Sequence, residues 1–209
     1  MSSADTALAR RYDAAAPGWA DKMRALGYYD GYLGFLSAPD VPAPEGPAHH
    51  VVDMGAGTAA FAEAWVAVRG APDRMTLVEP APAMLARGAA ALARRQVTAE
   101  TRAATLEGAA DLAPASDLLV AHLIEHLPEP RAALAALRAR LAPGGRLWLV
   151  ASKPHWCNAI IWLKWGTPSF PPDRIAALLA DSGFVLSAEY AFPAGPPSRT
   201  SRGYLAIRA

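Results

Sequence analysis

The chain has 209 residues, 53% apolar and 19% charged, with a formal net charge of +1. That length suffices for one domain with a sizeable core, and no polar or low-complexity stretch is long enough to separate it into several, so residues 1–209 read as a single domain. Arg and Lys are scattered, without the basic stripe that neutralises a phosphate backbone, which argues against nucleic acid as a partner. Cys157 is the lone cysteine; it excludes an internal disulfide or a multi-cysteine metal site and fits a reducing compartment. Ser2-Ser3-Ala4-Asp5 ahead of Arg10-Arg11 lacks the basic-then-apolar order of an export signal. Charges such as Glu63, Glu125 and Lys164 interrupt the apolar runs well short of the roughly 20 residues of a bilayer core. A cytoplasmic location is the simplest expectation.

Residues 5–36 show helical spacing in two stretches broken near Pro17-Gly18, which predicts a helical extension over 1–38 rich in aromatic residues. Pro39, Pro42, Pro44, Gly46 and Pro47 then form a linker that continues neither a helix nor a central strand. From there, over a core spanning 48–209, strand-like and helix-like stretches alternate. Strands are expected at 50–54, 74–79, 102–106, 117–122 and 145–151, and helices at 59–69, 82–95 and 130–141. That alternation predicts an α/β fold, a mostly parallel sheet with crossover helices. A helix over 172–182 ends at Gly183. Strands 184–191 and 203–208 bring the sheet to seven, and the turn-rich Pro193-Ala194-Gly195-Pro196-Pro197-Ser198 between them makes the last one antiparallel.

Val51-Val52-Asp53-Met54-Gly55-Ala56-Gly57-Thr58-Ala59 is an apolar strand running into a small-residue turn that opens a helix. Gly55 and Gly57 let a ligand approach the backbone, and the helix N-terminus offers free N–H groups and positive dipole. Thr76-Leu77-Val78-Glu79-Pro80 places an acid at the end of the next strand, suited to gripping both hydroxyls of a ribose. With Ala60 the dinucleotide spacing is formally met, so a nicotinamide-dependent oxidoreductase is one reading. Asp53 favours another: an acid two residues before the first glycine suits an amino group such as that of methionine and does nothing for a pyrophosphate. No Tyr-x-x-x-Lys or comparable hydride-site constellation is found.

In these ordered motifs the sequence resembles the class I S-adenosylmethionine-dependent methyltransferases, in the small-molecule branch akin to methyltransferase type 11. The resemblance covers roughly residues 50–152. Asp53 to Ala59 is similar to the glycine-rich first motif, Glu79-Pro80 to the ribose acid, and Pro82-Ala83-Met84-Leu85 to the helix that follows. Asp117-Leu118-Leu119-Val120 with Glu125-His126-Leu127-Pro128 resembles the fourth strand and its turn, and Leu141-Ala142-Pro143-Gly144-Gly145-Arg146-Leu147 the entry to the fifth. The resemblance implies a Rossmann-like doubly wound fold, S-adenosylmethionine as cofactor, and cofactor contacts from Asp53, Met54, Gly55, Ala56, Gly57, Glu79, Pro80, Met84 and His122. The family often sets an acid directly after the third strand for the adenine amino group. Here that stretch reads Gly108-Ala109-Ala110-Asp111, leaving either a shifted Asp111 or the backbone at Ala109 and Ala110 to hold the adenine. The resemblance also implies that Tyr12, Asp13 and Trp19 form an N-terminal lid, the alternative being an apolar helix packed on the domain edge.

Methyl transfer is an in-line displacement at an activated sulfonium, so positioning and exclusion of water carry much of the catalysis and a dedicated base is optional. His122, at the carboxyl end of the fourth strand, is the first candidate base, with His155 after the fifth strand the second; either residue also fits a packing or loop-bonding role. His126 reads as a structural contact. Trp156, Trp162 and Trp165 suit the wall of an apolar acceptor pocket, as they would a core seal beneath a long loop or a patch resting on a membrane to reach a lipid. The expected reaction is methyl transfer to a small, apolar or aromatic acceptor; the alternatives are the oxidoreductase and a non-catalytic cofactor-binding protein. No metal-ligand spacing appears.

Overall fold

The computed structural model describes residues 3–42, 49–156 and 169–209. A long helix α1 (Ser3–Ala25) and a short α2 (Tyr28–Ser37) precede the sheet. Then come β1 (His50–Met54), α3 (Ala60–Arg69), β2 (Arg74–Val78), α4 (Pro82–Ala93) and β3 (Glu100–Arg102). They are followed by β4 (Ala115–Ala121), α5 (Pro130–Ala139), β5 (Leu141–Ser152), α6 (Pro172–Asp181), β6 (Phe184–Tyr190), α7 (Gly195–Thr200) and β7 (Ser201–Arg208). The seven strands are ordered β3-β2-β1-β4-β5-β7-β6, with β7 antiparallel to both of its neighbours. No helix among the described residues is long and apolar enough to cross a membrane.

Strand residues alternate between two apolar layers, as the period of two requires. Val52, Met54, Leu118, Val120, Leu147 and Leu149 face α5 and α6, while Val51, Leu119, Trp148 and Val150 face α2, α3 and α4. Asp117 is fully buried among them, where Arg146 reaches it with two hydrogen bonds of 2.6 and 2.7 Å and Trp148 Nε1 donates a third at 3.0 Å. The strand order reverses between β1 and β4, so their carboxyl ends open a crevice where ligands bind in sheets of this kind.

Three expectations about elements are corrected. Pro17 does not break the first helix: α1 runs through it, and the chain turns at Gly27, where φ is +80°. Tyr12, Ala16 and Trp19 pack on Ala81 and Met84, holding both halves in line against a proline cost of roughly 3 kcal/mol. The third strand lies at Glu100–Arg102 rather than 102–106, because its partner β2 ends at Val78, opposite Arg102. The turn-rich stretch near 193–198 contains the one-and-a-half-turn helix α7, entered through Gly195 at φ +66°.

Candidate active site

The turn after β1 carries the crevice's floor. Gly55, Gly57 and Ala59 all take positive φ, at +75°, +52° and +62°, which swings the chain from strand to helix within five residues. Gly55 and Ala56 donate their N–H groups to the Val78 carbonyl at 2.9 and 3.0 Å, tying the turn to β2. α4 approaches the turn closely at Gly88, where a Cβ would stand 3.0 Å from that of Ala59 and 3.3 Å from the Gly57 carbonyl oxygen.

Two acids stand on either side of the turn. Asp53 is 2% exposed, and its Oδ2 accepts the Ala62 N–H of α3 at 3.1 Å. Burial pushes its carboxyl up to about 7; the Ala62 hydrogen bond works against that and the Glu79 charge adds to it. Glu79 spans the turn: Oε2 accepts the Gly57 N–H at 3.0 Å and Oε1 the Ala81 N–H at 2.9 Å. Its carboxyl is also raised, chiefly by burial. Each oxygen keeps a second lone pair for a ligand hydroxyl.

A cavity joins these acids to residues from five further segments, the stretch after β3 among them. Tyr12, Trp19 and Met23 of α1 and Tyr32 of α2 line it from above, Ala60 and Phe61 from the start of α3, and Leu123, His126 and Leu127 from the turn after β4. Tyr12 Oη lies 3.1 Å from His126 Nε2, and Asp13 Oδ1 accepts the Ala83 N–H of α4 at 2.9 Å, so α1 is fastened across the cavity on two sides. Burial lowers the His126 pKa, favouring the neutral ring that bonds Tyr12.

Of the residues picked from sequence, Asp53, Met54, Gly55, Ala56, Gly57, Glu79, Pro80, His122, Tyr12 and Trp19 all line this cavity. Met84 does not: it is wholly buried beneath α1 with Ala16 and Ala81. Ala109, Ala110 and Asp111 also stand outside it, since β3 is three residues long and the wall there is Ala104, Thr105 and Leu106. Asp111 is exposed, 4.0 Å from Arg102. His155 sits past β5 in ring contact with Trp156, which is 71% exposed; neither lines the cavity. Trp162, Trp165 and Cys157 lie outside the described residues. Sequence reasoning passed over Tyr32, Phe61, Leu123 and Leu127 as cavity residues, and set His126 aside. The helical spacing over residues 5–36 marked an aromatic extension, with nothing to show that Tyr32 opens onto a ligand site.

Residues 52–147 match the family model described as a methyltransferase domain. Among solved structures, the N-methyltransferase NodS from Bradyrhizobium japonicum WM9, bound to S-adenosyl-L-homocysteine, superposes with a TM-score of 0.66 at 14% identity, covering 87% of this chain and 85% of that one. The methyltransferase in complex with the Haloferax volcanii Trm112 activator gives 0.70 at 14%, covering 94% and 97%. Magnesium protoporphyrin IX methyltransferase from Synechocystis PCC 6803 gives 0.63 at 16%, covering 88% and 80%. No curated protein matches the sequence. The structural likenesses establish the fold, and the family match covers the part of it that carries the glycine turn, Asp53 and Glu79. Over residues 52–147 the chain is similar to a methyltransferase domain, and its fold is shared with methyltransferases solved with S-adenosylmethionine or S-adenosylhomocysteine bound.

Proposed function

We propose that this chain, folded as one domain with α1 as a lid, transfers a methyl group from S-adenosylmethionine to a small, apolar or aromatic acceptor. The observation that carries the reading is the pair of buried carboxylates flanking one glycine turn, Asp53 and Glu79, in a cavity otherwise walled by aromatic and aliphatic side chains. Asp53 would take the ammonium of the methionine moiety and Glu79 the ribose hydroxyls, with Gly55, Ala56 and Gly57 giving backbone room. Ala104, Thr105 and Leu106 would flank the adenine, and Met54 and Pro80 would pack beside the nucleoside. When bound, the cofactor supplies an electrophilic methyl on a sulfonium. Tyr12, Trp19, Met23 and Tyr32 exclude water from it, which is where much of the catalysis in such a displacement originates. Scattered rather than clustered basic residues fit a small acceptor over a nucleic acid.

Calorimetric titration with S-adenosylmethionine and S-adenosylhomocysteine, with NADH and NADPH in parallel, tests the reading. Micromolar binding of the sulfonium pair, about 8 kcal/mol of affinity, is expected, with none for the nicotinamides. Asp53→Ala should cost at least about tenfold in that affinity, as loss of a charged hydrogen bond does. Binding of NADH alone would favour the oxidoreductase.

A further inference from the structure

Tyr32 of α2 lines the cavity with its hydroxyl unused. The residue is 6% exposed, and its Oη has no hydrogen-bond partner among the described residues. A buried hydroxyl left in that state is costly unless a ligand supplies the missing acceptor. Packing holds the ring: it stacks on Phe61 with centroids 4.7 Å apart and planes 26° off parallel, and tilts against Tyr28 at 6.4 Å. Tyr28 is tied in turn, its hydroxyl 3.1 Å from Thr200 Oγ1. The Tyr32 ring is therefore set before any ligand arrives. Burial raises its pKa well above the usual phenol range, and Tyr28, Asp53 and Glu125 add to the rise. Near neutrality the group is an O–H donor.

These neighbours place the hydroxyl at the Asp53 end of the cavity, toward the 3₁₀ turn Ile124–His126 that follows β4. Glu125 in that turn is 2% exposed in its side chain, and its Oε1 accepts the Ser152 N–H at 2.6 Å. Burial works to raise the Glu125 carboxyl, yet the His122 ring and the Ser152 amide hold it below the usual carboxylate range, so it stands as an anion. The cofactor's own groups match Tyr32 poorly. An ammonium has no lone pair to accept its hydrogen, and the ribose oxygens go to Glu79. The methionine carboxylate suits the entry to α3, where Thr58 lines the cavity and a helix leaves its first N–H groups unpaired; near Tyr32 it would meet the Glu125 charge. The methyl acceptor is the partner left for the hydroxyl. No Lys or Arg stands among the described residues that line the cavity, so an anionic acceptor would find no counter-charge there.

We infer that Tyr32 is the specificity-determining contact for the acceptor, donating its phenolic hydrogen to an oxygen of an uncharged aromatic molecule. The inference rests on the methyl-transfer reading and names its substrate class. Phe61, Leu123 and Leu127 give the apolar walls that an aromatic ring would fill. In such a pocket a few placed polar groups set the ligand's orientation, and orientation is what an in-line displacement demands. A hydrocarbon of the same shape leaves the Tyr32 hydroxyl unpaired, and a site built to bond an oxygen rejects the analogue that lacks it.

The test uses the full chain saturated with S-adenosylhomocysteine, as the parent and as Tyr32→Phe, which keeps the ring and its stacking. Two probes of one shape are titrated: acetophenone, isotope-labelled at its carbonyl carbon, and α-methylstyrene, which carries a methylene in place of the oxygen. Tyr32→Phe should weaken acetophenone about fivefold, the share of one neutral hydrogen bond, and change α-methylstyrene by less than about twofold. The carbonyl infrared band of bound acetophenone should lie at lower wavenumber in the parent than in the variant. A merely structural role would weaken both probes alike and leave that band in place, and either result overturns the inference. Binding of neither probe overturns it as well. S-adenosylhomocysteine itself should bind the two chains within about twofold; a loss of about fivefold or more in the variant gives the hydroxyl to the cofactor's carboxylate and overturns the inference. A parent chain that does not bind S-adenosylhomocysteine fails the methyl-transfer reading itself, which separates the two failures.

Discussion

Burial lifts Asp53 from an ordinary value of 3.8 to about 7, so the free chain near neutrality is divided between its acid and carboxylate forms. A carboxyl raised on folding binds more protons in the native state, so its stabilising contribution is complete below about pH 4 and is lost as pH climbs through 7. The whole swing is on the order of 4 kcal/mol. Asp53→Asn keeps an oxygen for the Ala62 N–H and cannot ionise. Thermal melts of the variant should therefore lack the decline seen in the parent between about pH 4 and 7, while its affinity for S-adenosylmethionine falls; identical slopes in the two chains would refute the shift. Residues of this kind were legible in the sequence because strand, glycine turn and acid follow one another within a few positions. The adenine wall was not. Its place depends on where β3 stops, which is set by pairing with β2 and not by anything local to residues 100–111. The setting of Glu125 was equally hidden, since the Ser152 N–H that it accepts comes from β5.

At the scale of elements, the fastening of α1 has a measurable cost when cut. Asp13 caps the first turn of α4 from another helix, and losing a cap of this sort costs about 1 kcal/mol. Asp13→Ala should raise the dissociation constant for S-adenosylhomocysteine about fivefold, mostly by faster release, and move the melting temperature by no more than about 4 °C. Stopped-flow tryptophan fluorescence can follow this, because Trp19 lines the cavity; unchanged release would mean that α1 does not gate it. The alternation of strand and helix was readable from residue 50 onward because each apolar run changes period at a turn residue. The first helix was misjudged at Pro17: a local rule against proline gave way to packing on Ala81 and Met84 that only the fold supplies. The short α7 was missed for the opposite reason. Gly195, Pro196 and Pro197 read as turn, yet two prolines in a first turn lack only N–H groups that a helix leaves unpaired there.

For the molecule as a whole, a ligand that binds the native state alone adds stability by mass action. S-adenosylhomocysteine at about 100 times its dissociation constant should contribute about 2.7 kcal/mol and raise the melting point by about 5–10 °C. The absence of any rise would argue that the cavity is not a nucleoside site. Asp53 adds a second signature to the same experiment. If an ammonium is to pair with a group that is half protonated in the free chain, binding must expel about half a proton near pH 7. The released proton is taken up by the buffer, so the observed heat should differ between phosphate and Tris by about half the difference in their ionisation enthalpies. Repeating the titration in the two buffers thus counts a proton, and reports on one buried carboxyl without altering a single residue.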